Sequence, residues 1–414
     1  MLRIVLASLL TTSLPLLVAY LGLTSRQGYS SFTDLIQWDT YWYLGIIEHG
    51  YQFQGIEFPS HPHNNNVAFF PGYPIVVKLL SQVLPISPSL GVFVTAHLAY
   101  WGLWLYIFAL WQQWHVKPRH QALAALTILS FPSSFFNILG YTESLFCLGM
   151  MGFLYWCFFT PITSKIRWPL AILHGILMSS TRVFGIPVSF VPVLTYLLQH
   201  RRKAWGKSLV FWLGLSMFSA LGGIGFLVYC QVRWGDALIY QQMQSQWWRM
   251  QADWLAFFNP LTYFRWDYIS QVSSLDKVWD NLTTMRSGFL GGVLNQLTAL
   301  LTVLTLVLLI VLEFYLRRKG WQLRLPFHCT AWILAYLSIT ATAAAGLVSL
   351  IRYTLPTFLV IVMLLVHGIT SLNPETCPRM AEKIYVTLAL GLTILSFPLQ
   401  LFLLWRFARG LWVA

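Results

Sequence analysis

Within residues 37–51, QWDTYWYLGIIEHGY, four aromatics, Trp38, Tyr41, Trp42 and Tyr43, crowd a single carboxylate, Asp39. A carboxylate within reach of a hydroxyl can orient it or take its proton. In a helix, Asp39 and Tyr43 would share one face, with Trp42 one position round. Tryptophan and tyrosine favour the membrane–water boundary, so the stretch reads as a short interfacial helix holding an acid at the surface. An aromatic belt with one solvated Asp fits the same residues. Four more ionisable residues recur in short distinctive contexts: Glu143 in YTES, Arg182 in STRVFG, Asp236 in GDALIYQQMQSQWW and Arg352 in LIRYTLPTF. Arginine grips carboxylate or phosphate through two parallel hydrogen bonds. Each also has a plainer reading. The arginines can be snorkelling or paired structural residues, Glu143 can cap the helix beginning beside it, and Asp236 can be turn chemistry.

The elements that must position these residues are membrane helices. The 414 residues are 57% hydrophobic and 9% charged, where soluble domains carry about 25% charged residues. Apolar runs long enough to cross a bilayer recur along the whole chain. One all-α polytopic domain is expected over residues 1–414, with about eleven transmembrane helices (ten to twelve). Spans are predicted near 2–21, 90–111, 122–139, 145–159, 169–180, 186–198, 209–230, 289–315, 327–348, up to 372, and 384–404. Between them, residues 72–84 form a short apolar piece broken by Pro74, re-entrant or interfacial. Two long loops, about 23–71 and 231–288, fall outside.

The orientation comes from Lys117, Lys165, Arg201, Arg317 and Lys383, which mark five basic inner loops. Lys78, Arg406 and Arg409 fit that rule poorly. Asp39, Glu143, Arg182, Asp236 and Arg352 then all fall on the external side, at or near the ends of spans. An ionisable group at membrane depth costs about 3 kcal/mol on insertion scales. Two arginines and several carboxylates on one side therefore suggest a polar cavity at the outer leaflet.

Other chemistries are set aside. The net charge of +13 sits in short clusters between apolar spans, which suits a rim facing anionic lipid rather than nucleic acid. Five cysteines without CxxC spacing argue against a disulfide framework or zinc site. His61 and His63 read as a solvated loop, and His97, His174 and His367 as core histidines. Asn281 opens a glycosylation sequon, meaningful only where that machinery exists. No Walker A, GxGxxG or GxSxG is present, and no DxD pair sits in an inner loop. A lipid-linked donor arriving through the bilayer is the more natural substrate.

The ordered blocks WDTYWYLGIIEHGY, FFPGYP, YTES, STRVFG, GDALIYQQMQSQWW and LIRYTLPTF resemble the second mannosyltransferase of GPI-anchor synthesis (PIG-V-like) and its bacterial relatives. That family sits within the C-type (GT-C) membrane glycosyltransferases. The resemblance implies an inverting hexosyltransferase that moves a sugar, typically mannose, from a polyprenyl-phosphate donor to a lipid or glycan acceptor outside the cytoplasm. The setting would be a bacterial inner membrane, or the endoplasmic reticulum in a eukaryote. It implies that Asp39 is the catalytic carboxylate of the first external loop, orienting or deprotonating the acceptor hydroxyl, and that one or both of Arg182 and Arg352 hold the donor phosphate. Trp38, Trp42, Tyr43, Glu143 and Asp236 become candidate substrate contacts. No cofactor is expected, although metal dependence varies across the superfamily. A multi-span transporter or lipid-carrier flippase is the rival reading, and a non-catalytic scaffold a third. Convergence of Asp39, Arg182 and Arg352 on one cavity separates them.

Overall fold

The computed structural model describes residues 32–57, 65–161, 163–200, 206–264, 287–317, 324–371 and 378–408, with isolated positions at 3, 6, 8, 10, 273, 274, 276 and 277. Among these residues every regular element is helical. Most of the first expected span, His61, His63 and the Asn281 sequon lie outside the described residues. The expected all-helical, multi-pass membrane architecture is found, with uneven helix lengths. Five helices are long and apolar enough to cross a membrane: Pro88–Gln113, Lys207–Trp234, Gly292–Leu312, Leu325–Ala345 and Val386–Ala408. Shorter apolar helices cover Glu143–Phe159, Gly185–Gln199 and Leu355–Gly368. Among the described residues these five long and three shorter apolar helices stand against the expectation of about eleven crossings.

The helices that matter here are α1 (Asp39–His49), α2 (Gly72–Val83), α3 (Pro88–Gln113), α4 (Pro118–Ser130), α5 (Glu143–Leu154) and α6 (Arg167–Thr181). They continue as α7 (Gly185–Val188), α8 (Val191–Gln199), α9 (Lys207–Trp234) and α10 (Ile239–Trp248). The last are α11 (Ser287–Arg317), α12 (Leu325–Thr342), α13 (Leu350–Tyr353), α14 (Leu355–Ser371) and α15 (Pro378–Ala408). Helices α3, α5, α6 and α9 pack in a row, each against the next. A second run joins α12 to α14, α14 to α4, and α4 to α15. The runs meet where α8 packs on α12 and α5 touches α14.

Several boundaries depart from the sequence expectation for identifiable reasons. The span expected over 122–139 stops at Ser130, because Phe131 precedes Pro132 and a residue before proline avoids the helical region. The chain then passes through a 3-10 turn at Ser134–Asn137. The piece at 72–84 is one unbroken helix. Pro74 sits in its first turn, where a missing N–H costs nothing. The span expected to end near 230 runs on to Trp234, and Gly235 closes it with a left-handed φ of 79°. The aromatic stretch after Gln37 is helical but not a surface belt, since Trp42 and Tyr43 are 8% and 4% exposed. Arg406 is buried among the helices rather than lying free outside, whereas Lys78 is exposed.

Packing between spans follows lipid rules. Leu297, Leu301, Leu304, Leu308 and Val311 form an exposed stripe at helical spacing along α11, as a surface facing hydrocarbon would. Between α6 and α9, small residues let the backbones approach closely. Ser179 Oγ donates to the Ser219 carbonyl at 2.9 Å. A Cβ on Gly222 would lie 2.2 Å from the Ile176 carbonyl oxygen and 2.8 Å from the Ser180 amide nitrogen. Both are backbone atoms that cannot move aside alone. Gly222→Ala is therefore expected to destabilise the fold by about 1–3 kcal/mol. Gly225→Ala, on the same helix with nothing within 4 Å of the new Cβ, should be neutral or slightly stabilising. Thermal unfolding of the two variants in one detergent checks the contrast.

Candidate active site

Asp39 is the first residue of α1, in a first turn that favours negative charge. Two cross-ties hold it against the turn that starts α5. Thr40 Oγ1 donates to the Gly140 carbonyl at 3.1 Å, and the Tyr141 hydroxyl donates to the Gln37 carbonyl at 3.2 Å. That same turn delivers Glu143 as the first residue of α5. Arg182 follows the last residue of α6, in extended conformation. Arg352 sits in the short α13, pinned from two other segments. Ser133 Oγ donates to the Ile351 carbonyl at 2.8 Å, and the Ile351 amide donates to Asn295 Oδ1 at 2.9 Å.

Strain gathers beside both acid and base. Among the described residues, six non-glycine residues have positive φ; Trp38 at 52°, Leu347 at 65° and Ser349 at 63° flank Asp39 and Arg352. Left-handed conformations of non-glycine residues are sustained only where the surroundings over-determine them.

Four charges meet. Arg352 Nη1 lies 2.7 Å from Asp39 Oδ2. Arg352 Nε and Arg182 Nη2 both donate to one oxygen, Glu143 Oε1. Arg182 Nε also donates to Thr142 Oγ1 at 2.9 Å. Glu143 has no exposure and Arg352 only 3%. Charges this deep persist only when paired and hydrogen-bonded. Two positive and two negative groups make the cluster neutral. Aromatic rings complete its walls: the Arg352 guanidinium stands 4.6 Å from the Tyr141 ring centre and 5.2 Å from that of Phe136.

The cluster opens on a cavity of about 300 Å³. Asp39, Tyr43, Arg182 and Arg352 form its charged and polar end. Val183, Phe184, Pro187, Leu227 and Leu337 give an apolar wall, and Gln241 and Gln244 of α10 a neutral polar one. Gln244 Nε2 also donates to the Ala68 carbonyl at 2.9 Å, tying α10 to the first loop. The Tyr43 phenol is pushed well above its ordinary pKa by burial and then by the nearby Asp39 charge. It stays a neutral O–H donor at any physiological pH.

The structure thus brings Asp39, Tyr43, Arg182 and Arg352 to one cavity. The other candidates are placed elsewhere. Trp42 stacks on Phe69, ring centres 5.5 Å apart, and packs on Trp247 at 5.1 Å, and Trp38 is 38% exposed. Glu143 lies behind the arginines and does not line the cavity. Asp236 is turn chemistry: it accepts from the Leu238 amide at 2.7 Å and from Gln242 Nε2 at 2.5 Å. Thr142, Gln241, Gln244 and Tyr353 line the cavity without having been singled out from sequence. The spacing of Gln241 and Gln244, three apart on one helix face, is the one signal that could have found them. The core histidines behave as expected of such residues; His174 Nε2, for instance, lies 2.9 Å from the Tyr106 hydroxyl. Among the described residues, no group of three or more His, Cys, Asp or Glu side chains could hold a metal ion.

Residues 9–184 match the family model described as Mannosyltransferase (PIG-V). The matched stretch includes Asp39, Glu143 and Arg182 and stops short of Arg352. No curated protein matches the chain. Among solved structures, the chain is similar to the crystal structure of ArnT from Cupriavidus metallidurans bound to undecaprenyl phosphate. The TM-score is 0.50 at 13% identity, covering 97% of this chain and 77% of that one. The chain shares with that structure the all-helical membrane fold that the sequence led one to expect.

Removing Arg352 leaves Asp39 without its ion pair and Glu143 with one cation fewer. Arg352→Met is expected to destabilise the protein by about 3–5 kcal/mol, the usual cost of breaking a buried pair from one side. Asp236→Asn, outside the cluster, should stay within about 1 kcal/mol of wild type. Thermal unfolding in the same detergent measures both.

Proposed function

We propose that this chain is a membrane glycosyltransferase. It takes a sugar, mannose in the first instance, from a polyprenyl-phosphate donor and passes it to a hydroxyl of a lipid or glycan acceptor. The observation that carries this reading is the convergence of Asp39, Arg182 and Arg352, from three distant parts of the chain, on one cavity with an apolar wall. A transporter reading would place the site midway along broken helices, whereas Asp39, Glu143 and Arg182 lie at helix ends. The match of residues 9–184 to a mannosyltransferase family supports the reaction. The likeness to a fold seen with undecaprenyl phosphate supports a polyprenyl carrier.

In this reading the cavity holds the sugar and its phosphate, while the prenyl chain leaves along the Val183–Phe184–Leu227 wall. About 300 Å³ is at the small end for ligand pockets and suits one sugar ring rather than a whole lipid. The acceptor oxygen attacks the anomeric carbon as its proton passes to the Asp39 carboxylate. The bond from that carbon to the phosphate oxygen breaks, and its electron pair leaves with polyprenyl phosphate. A single displacement of this kind inverts the anomeric configuration. Arg182 and Arg352 are fixed before the reaction starts and face the charge that develops on the leaving phosphate. That is electrostatic preorganisation, and it requires no reorganisation at the moment of transfer.

Helix direction supports an extracytoplasmic site. Lys165 lies just before α6 and Arg182 just after it, so a basic loop and the cavity sit at opposite ends of one helix. With basic loops inside, the cavity opens to the extracytoplasmic side. This applies equally to a bacterial inner membrane and to the endoplasmic reticulum.

The test is transfer by purified protein given polyprenyl-phosphate-mannose and a membrane lipid extract, followed by mass spectrometry of the products. Asp39→Asn should lower turnover by about 10²–10⁴-fold while the protein still folds and inserts. Near-normal turnover in that variant removes Asp39 from the mechanism. Arg352→Ala should raise KM for the donor more than for the acceptor, and the reverse would reassign this arginine.

A further inference from the structure

Glu143 and Asp39 both neutralise Arg352, but in very different surroundings. Glu143 is wholly buried behind the guanidiniums. Its Oε1 accepts from Arg352 Nε and Arg182 Nη2 at once, and it has no route to the cavity. The Asp39 side chain keeps 17% of its exposure and lines the cavity. It can therefore exchange a guanidinium for water or substrate. Arg352 is attached on two edges, Nε to the buried acid and Nη1 to the exposed one. Arg182 is attached through Nε and Nη2 to Thr142 and Glu143, and its Nη1 makes no hydrogen bond among the described residues.

From this geometry we infer that Glu143 is the positioning residue for both arginines, and that Asp39 is the exchangeable partner of Arg352. The inference rests on the reading of the arginines as the phosphate site. An anionic phosphate entering the cavity competes with Asp39 for Arg352 Nη1, while Glu143 keeps both guanidiniums in place. Donor arrival then releases the carboxylate that must act as base. The acid is held by the arginine in the empty site and becomes free for an acceptor hydroxyl once the donor phosphate has taken its place.

The consequence is opposite to that of an ordinary substrate contact. Asp39 works against phosphate binding, so removing its charge should tighten it. An internal competitor lowers apparent affinity by the fraction of time it occupies the site. Glu143, which touches no substrate, should instead favour binding.

The experiment measures binding of polyprenyl phosphate, without sugar, to the full-length protein in nanodiscs. Wild type is compared with Asp39→Asn, Glu143→Gln, Arg352→Gln and the double variant Asp39→Asn with Arg352→Gln. Asp39→Asn should bind about tenfold more tightly than wild type. That gain should vanish when Arg352 is already replaced, because the competition runs through that one guanidinium. Glu143→Gln should bind about tenfold more weakly, and should raise KM for the donor without changing KM for the acceptor. Equal or weaker binding by Asp39→Asn overturns the inference. So does a gain that persists in the Arg352→Gln background, which would be simple charge repulsion. Wild-type affinity in Glu143→Gln overturns the role given to Glu143. The Asp39→Asn arm decides the exchange by itself should the Glu143 variant fail to fold. Wild type that binds no polyprenyl phosphate overturns the phosphate-site reading itself, a result distinct from wild type that binds while Asp39→Asn gains nothing.

Discussion

One oxygen atom, Glu143 Oε1, receives hydrogen bonds from two arginines that are 170 residues apart in sequence (352 − 182). A carboxylate with no exposure remains charged only beside such partners. The arginines remain charged at that depth only beside it. This mutual requirement fixes three segments at once: the turn that opens α5, the end of α6, and the short α13. Asp39 on α1 joins the cluster through Arg352 and makes the sum of charges zero. Helix packing brings these segments close, and the ion network sets them to within a hydrogen-bond length.

Around that centre the walls divide by chemistry. The link from α6 to α7 contributes Val183 and Phe184, and α7, α9 and α12 contribute Pro187, Leu227 and Leu337. The α10 side contributes amides and a phenol, with Gln244 bonded to the first loop.

Much of this was legible in the chain before any coordinates. Low charge content and recurring apolar runs gave the class, and the aromatic stretch around Asp39 gave the position of the acid. The arginines stood out because charge at the end of an apolar span needs a reason. What stayed hidden was long-range or conformational. Glu143 looks like a helix-start acid from its neighbours, and nothing local says that Arg182 and Arg352 both close on it. Asp236 and Glu143 have the same residue chemistry and similar positions near span ends, yet one caps a turn and the other anchors the site. Helix ends were misjudged where hydropathy continued past a stop in the backbone, as at Phe131–Pro132. Trp42 was misjudged because an indole in the core and an indole in an interface are written with the same letter.

The early stop of α4 at Ser130 has an effect beyond one boundary. It leaves main-chain carbonyls and amides inside the protein with no helical ladder to join, and side chains from elsewhere must satisfy them. Gln400 of α15 donates to the Leu129 carbonyl at 2.7 Å and Thr40 to the Gly140 carbonyl, while Ser133 of the segment itself donates outward to the Ile351 carbonyl. The interrupted segment therefore works as a junction box, wired to the first loop, to α13 and to the last helix. Sequence drift on the greasy outer faces of α11 or α15 has no lever on that junction. Replacing the proline that creates it would let α4 wind onward and pull several of those wires at once.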